Sequence, residues 1–155
     1  MKTWAPKGQT PSLQYSFNWK LLSVIAGVSF WRFYFRFFNG TIKAPQIVAF
    51  LAALRKQVRN KLLIIWDGLP AHRSAVVRQY VDALQGRIVL ERLPAYAPEL
   101  NPVEYLWAYA KQRELANLCR NTIGEVHGFA RNRLKSMQHR PYVIAACWHQ
   151  AELPI

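Results

Sequence analysis

Alternation of apolar and polar residues opens the chain. Leu13, Tyr15, Phe17 and Trp19 alternate with polar neighbours, which predicts a short strand. Two more strands are predicted at Leu21 to Ser29 and Arg32 to Phe38, where Phe33, Phe35 and Phe37 alternate with Arg32, Tyr34 and Arg36 before Asn39-Gly40. No strong turn signal separates them. From Ala44-Pro45 the period lengthens, and Ile47, Phe50, Leu51, Leu54 and Val58 fall on one face of a helix reaching about Asn60. Leu62-Leu63-Ile64-Ile65-Trp66 then runs without polar relief, which predicts a strand covered on both faces.

Ser74 is placed to cap a second helix with apolar positions Val76, Val77, Tyr80, Val81 and Leu84, and Gly86 follows its end. Ile88 to Leu93 reads as a strand, and Pro102 to about Asn117 as a helix. Thr122 with Glu125 three residues on starts a helix through about Met137, and a short helix is expected around Tyr142 to Trp148. This order predicts an α/β fold with a mixed sheet and helices on both faces. One domain spans residues 1–155, with a core of about 12–118 and C-terminal helices of about 122–149.

Charge alters this picture of an ordinary α/β domain. The 155 residues carry a formal net charge of +13. Residues 1–66 hold ten Lys/Arg and no Asp or Glu, whereas the remainder holds eleven Lys/Arg against eight acids. A solvated basic surface is one reading, and a polyanionic partner is the other. Arg32 and Arg36 interrupt the apolar stretch Leu21 to Phe38, which excludes a membrane span there. Cys119 and Cys147 lack metal-type spacing, and Met1-Lys2-Thr3-Trp4-Ala5-Pro6 has no apolar signal region, so a cytoplasmic protein is expected.

Candidate chemistry rests on two acids. Asp67 directly follows the apolar strand, where open α/β sheets place their reactive groups, although an acid there also suits a turn. Glu104 sits third in a helix with Asn101 at the N-cap and Pro102 at the first position, which equally reproduces a capping box. Both acids together are a different object, because Mg²⁺ is held by few carboxylates plus waters and phosphate oxygens.

Three segments carry a family resemblance: Thr3-Trp4-Ala5-Pro6-Lys7-Gly8-Gln9-Thr10-Pro11, Trp66-Asp67 through His72, and the Leu-Pro-x-Tyr-x-Pro-x-Leu-Asn-Pro-x-Glu-x-x-Trp run from Leu93 to Trp107. The chain resembles the mariner-type DDE transposases, in their bacterial insertion-sequence branch. That resemblance implies a ribonuclease-H-like catalytic domain that cuts and joins DNA during transposition and recombination. It makes Asp67 the second acid and Glu104 the third, with 36 residues between them. It implies two Mg²⁺ or Mn²⁺ ions about 3.5 to 4 Å apart, which activate the attacking oxygen and stabilise the leaving one.

Partners implied by the family are DNA, as transposon ends and target, and further copies in a homo-oligomer, in a nucleoid-associated setting without a membrane. The family's first acid lies on a strand shortly before the Trp-Ala-Pro segment, and this sequence starts after that point. A truncated domain is therefore expected, lacking its first, central strand and inactive alone unless an upstream transposase polypeptide supplies the missing acid. Leu21 to Ser29 and Leu62 to Trp66 should then each present an unpaired inner edge.

Residues around the two acids complete the expected site. Asn101 and His72 are placed to support them, with His72 as a hydrogen-bonding or packed turn residue. Gly68 stands where the family more often has Asn. Lys7, Lys111 and Arg113 are candidate DNA-binding residues; Lys111 lies seven positions after Glu104, two helical turns along one face. Asp82 is expected to be solvated and Trp107 to pack in the core. Two alternatives remain at this point: a non-catalytic basic DNA-binding protein, and an inactive transposase remnant.

Overall fold

The structure is a computed structural model that describes residues 8, 21–95, 97–116, 118 and 122–153. Lys7, the strand expected at Leu13 to Trp19, Asn117 and Cys119 lie outside the described residues. Element order is β1 (Leu22–Val28), β2 (Phe33–Asn39), α1 (Ala44–Gln57), β3 (Leu62–Trp66), α2 (Ala75–Asp82), β4 (Ile88–Arg92), α3 (Pro102–Tyr109), α4 (Ile123–Gln138) and α5 (Pro141–Gln150). Short 3-10 turns at Pro70–Arg73 and Pro98–Leu100 precede α2 and α3. Among the described residues, no helix is long and apolar enough to cross a membrane.

The strands form two pairs, antiparallel β1–β2 and parallel β3–β4. Antiparallel and parallel pairing are thus both present, and no strand pairing joins the two pairs among the described residues. Ser29 makes the β1–β2 turn that no glycine or asparagine announces: its backbone N–H donates to the Arg32 carbonyl (2.7 Å), and its Oγ accepts from the Arg32 N–H (3.2 Å).

Register sorts the β1–β2 side chains onto two helical layers. Val24, Ala26 and Val28 pair with Phe37, Phe35 and Phe33, and all six pack into the cluster of Leu106, Ala110, Leu134, Met137, Val143 and Cys147 from α3, α4, α5 and the turn after α3. Ring contacts run along this face, from Phe33 to Phe35 (5.4 Å), Phe35 to Phe37 (5.7 Å) and Phe37 to His127 (4.8 Å). Burying Phe33 alone contributes about 1.5–3 kcal/mol. Hydrogen bonds reinforce the layer: Gln138 Nε2 donates to the Phe33 carbonyl (2.7 Å) and Trp148 Nε1 to that of Ser29 (3.1 Å). Trp107 packs against the same cluster.

The opposite face is covered by α1, which spans both strand pairs. Arg36 donates to the Ala49 carbonyl (2.8 Å), and Ile25 joins Ile47, Leu51, Val77, Val81 and Ile88 in a second cluster with Leu62, Ile64 and Trp66. Helices thus flank the strands on both faces, as expected.

β3 departs from expectation. Leu62, Ile64 and Trp66 are covered by α1 and α2, but Leu63 and Ile65 on the other face are 61% and 56% exposed, and Val89 of β4 is 46% exposed. The unbroken apolar run predicts two covered faces, yet α3, α4 and α5 lie over β1–β2 and leave this side of β3–β4 open among the described residues. α3 also differs. The regular helix ends at Tyr109 and passes into a π-helical turn, Ala110–Glu114, closed by the Leu115 N–H on the Ala110 carbonyl (2.8 Å). An inward-turned Glu114 accounts for the wider turn: its side chain is 7% exposed, bound by Arg140 (2.5 Å) and approached by Arg133 (3.9 Å). That pair holds the Arg140 guanidinium above its ordinary pKa, through the hydrogen bonds to Glu114 and then Tyr109.

Candidate active site

Asp67 emerges where β3 stops. Its Oδ1 accepts from the Leu69 N–H (3.2 Å), an Asx-type turn that ends the strand, and it meets His72 Nδ1 at 2.7 Å. His72 is itself fixed. Its ring lies on Trp66, with centroids 4.4 Å apart and planes 4° from parallel, and its side chain is 19% exposed. Trp66 is the last residue of β3, so the strand carries both the acid and the surface on which the acid's partner rests. Among the described residues Asp67 Oδ2 makes no hydrogen bond, and the side chain is 44% exposed. One carboxylate oxygen is thus committed to holding geometry and the other is free.

Glu104 arrives from the neighbouring strand. β4 runs parallel to β3 with Trp66 beside Arg92, and the Leu93 N–H donates to the Trp66 carbonyl (2.9 Å), so the following segment leaves from the same end as Asp67. A 3-10 turn leads to Asn101, whose side chain accepts from the Val103 N–H (3.2 Å) and starts α3 at Pro102. The reciprocal half of a capping box is not made. Asn101 donates its own N–H to the Pro98 carbonyl (3.0 Å), and the exposed Glu104 carboxylate makes no hydrogen bond or ion pair among the described residues. A purely structural reading of Glu104 therefore loses its main support, while Asn101 keeps its capping role.

Asp67 and His72 are brought into direct contact, and Asn101 and Glu104 share one helix start. Among the described residues no group of three or more His, Cys, Asp or Glu is close enough to hold a metal ion. Lys111 and Arg113 are exposed in the π-helical turn without partners among the described residues. The α-helical spacing that would align Lys111 with Glu104 stops at Tyr109, so that part of the expectation is corrected. Lys7 lies outside the described residues. Asp82 is exposed, as expected.

A basic cleft beside Asp67 is legible only in three dimensions. It has a volume of about 510 Å³ and is lined by Trp66, His72, Arg73, Arg78, Asp82 and Arg92 above an apolar floor. Period-two reading of β4 is the one signal for it, since Arg92 shares a face with Ile88 and Leu90 and so turns towards α2.

The sequence pattern of the DDE superfamily endonuclease family matches residues 1–123. Among solved structures, the Mos1 strand transfer complex aligns with a TM-score of 0.68 at 20% identity, covering 99% of this chain and 46% of that one. The catalytic domain of Mos1 mariner transposase aligns at 0.60 and 17% identity, covering 83% and 70%. The same catalytic domain with raltegravir and Mg aligns at 0.61 and 19%, covering 90% and 76%. No curated protein matches the sequence. At such identities the likeness shows the fold, which is ribonuclease-H-like, and the chain spans about half the length of the Mos1 transposase in its DNA complexes. The family pattern, in contrast, runs through most of the sequence and includes both Asp67 and Glu104: the chain belongs to the DDE superfamily endonucleases.

Proposed function

We propose that this chain is part of a transposase catalytic domain that cleaves and joins DNA, with Asp67 and Glu104 as two of its metal-holding acids. One observation carries the proposal: Asp67 closes β3, the segment that leads to Glu104 leaves the same end of the adjacent parallel strand β4, and the side chain of each acid keeps an oxygen that the fold does not use. Their hard oxygens suit Mg²⁺ or Mn²⁺, which is held by one or two carboxylates and completed by phosphate oxygens and water. When bound, the ion polarises a phosphodiester and lowers the pKa of water. The matched structures support this reading, since they include a Mos1 transposase complex with a transposon end and Mos1 catalytic domains with Mg or Mn.

Protein groups have separable tasks. His72, resting on Trp66, fixes the carboxylate of Asp67 and leaves Oδ2 for the cation. Asn101 fixes the first turn of α3 and with it the position of Glu104. Lys111 and Arg113 supply positive charge for the DNA backbone without competing for the acids. A two-ion site needs a third carboxylate; residues 1–66 contain none, and among the described residues no third acid gathers with Asp67 and Glu104, so an upstream transposase polypeptide is the source we propose. We therefore expect these 155 residues alone to bind DNA with one cation and not to cleave it. A strand that joins the two pairs is a fitting source, because no strand pairing connects them among the described residues. A homo-oligomer on transposon ends and target DNA is the expected working form.

The test is DNA binding by the purified chain with and without Mg²⁺, using an oligonucleotide duplex. Mg²⁺ should raise affinity in the wild type and should have no effect in Asp67→Asn or Glu104→Gln. Binding that falls steeply with salt yet ignores Mg²⁺ in all three proteins would establish a non-catalytic basic DNA-binding protein instead.

A further inference from the structure

The cleft beside Asp67 concentrates positive charge that the fold leaves unused. Arg73 ends the 3-10 turn, Arg78 projects from α2 and Arg92 ends β4. All three are exposed, and none of their guanidinium groups makes a hydrogen bond or ion pair among the described residues. Asp82 is the one acid in the lining, and it pairs with none of them, which leaves a net charge of +2 from three guanidiniums and one carboxylate. Elsewhere the fold does use its arginines: Arg36, Arg55 and Arg140 each bind a carbonyl or carboxylate.

Three unpaired guanidiniums around one concavity repel one another, and an anion between them removes that cost. Guanidinium forks match phosphate oxygens in pairs, and an open cleft admits a polymer. Position fixes which phosphate. Arg92 lies beside Trp66 in the β3–β4 register, Trp66 carries His72, and His72 holds Asp67. We infer that the cleft seats a backbone phosphate of the same DNA strand whose reacting phosphodiester lies at Asp67, with Arg73, Arg78 and Arg92 as its binding residues. This rests on the reading of Asp67 given above and extends it by giving the strand a path along α2.

The test uses the full chain, a fluorescent single-stranded oligonucleotide and EDTA, so its outcome is independent of metal binding at Asp67 and Glu104. Affinity is measured across a salt series for the wild type, for Arg78→Gln with Arg92→Gln, and for Lys56→Gln with Arg59→Gln. The second pair removes the same charge from the end of α1, where the chain enters β3 opposite Asp67. Loss of two phosphate contacts should reduce the slope of log affinity on log salt by about 1.4, from about 0.7 per contact on single strands. The Lys56/Arg59 pair should change it by less than half as much, and Arg78→Lys with Arg92→Lys should restore it. Should the Gln pair unfold the chain by circular dichroism, Arg78→Gln alone is measured, with half the slope change expected. Equal slope changes in the cleft and control variants, or none in the cleft variant, would overturn the inference. Mg²⁺-dependent binding that persisted in that case would leave the proposed function intact.

Discussion

Leu106 and Leu63 allow one substitution to be read in two surroundings. Leu106 of α3 is fully buried among Phe33, Leu134 and Met137, whereas Leu63 of β3 is 61% exposed. Truncation of a fully buried leucine to alanine removes its transfer free energy and leaves a cavity, which together cost about 2–5 kcal/mol. At Leu63 only the remaining 39% of the surface is covered, from 100 minus 61. Full burial of leucine contributes about 1.5–3 kcal/mol, so that fraction is about 0.6–1.2 kcal/mol, and no cavity forms on an open face. Urea unfolding followed by tryptophan fluorescence measures both. With a slope of about 2 kcal/mol per molar urea, Leu106→Ala should lower the midpoint by about 1–2.5 M and Leu63→Ala by about 0.3–0.6 M. Equal shifts would refute the description of β3 as covered on one face only.

Three smaller effects follow from local geometry. Asn101→Ala removes the hydrogen bond to the Val103 N–H and should cost about 1 kcal/mol in the same assay, with a loss of Mg²⁺-dependent DNA binding that Asn101→Asp restores. Gly86 has φ +76°, so Gly86→Ala should destabilise by about 1 kcal/mol or more although open space surrounds it; no change in midpoint would contradict the strain argument. Burial pushes the Cys147 thiol up to about 11, so alkylation of the native chain at pH 8 should be far slower than in urea. Because the folded value lies above the unfolded one, this group's contribution to stability is complete below about pH 9 and is lost as pH rises towards 11. Cys147→Ala should flatten that part of the stability curve.

Periodicity made the elements legible because each strand and helix has one face in the core, and that face sets the spacing. Phe33, Phe35 and Phe37 pointed to one face of β2, and the structure puts all three there. Ile47, Leu51 and Leu54 did the same for α1. The reading failed where one residue obeys two demands. Leu63 and Ile65 make β3 look covered on both faces, because apolar content reports what a strand is suited to and not which layer reaches it. The helix expected to about Asn117 turns π-helical over Ala110–Glu114, and the ion pair of Glu114 with Arg140, 26 residues away, cannot be read from local pattern. Asp67 was legible as a candidate at a strand end and Glu104 at a helix start. The hold of His72 on Asp67 depends on a ring stacked on Trp66, which spacing alone does not specify.

Glu104→Gln separates the two meanings of an acid in the first turn of a helix. If Glu104 served the helix, its amide analogue would retain a side-chain carbonyl able to cap, and the change would cost only the charge at the helix start, about 0.3–1 kcal/mol. The geometry already removes the capping bond, since the Asn101 N–H is taken by the Pro98 carbonyl. A small loss of stability is therefore expected on either reading, and stability alone decides nothing. Cation binding does decide, because an amide oxygen brings no charge to Mg²⁺ or Mn²⁺. Titration with Mn²⁺ in the presence of DNA, followed by electron paramagnetic resonance of the free ion, should show one strongly bound ion in the wild type and none in Glu104→Gln, with urea midpoints within about 0.5 M of each other. An unaltered Mn²⁺ titration in Glu104→Gln would return this residue to the helix start and remove the second ligand from the proposed site.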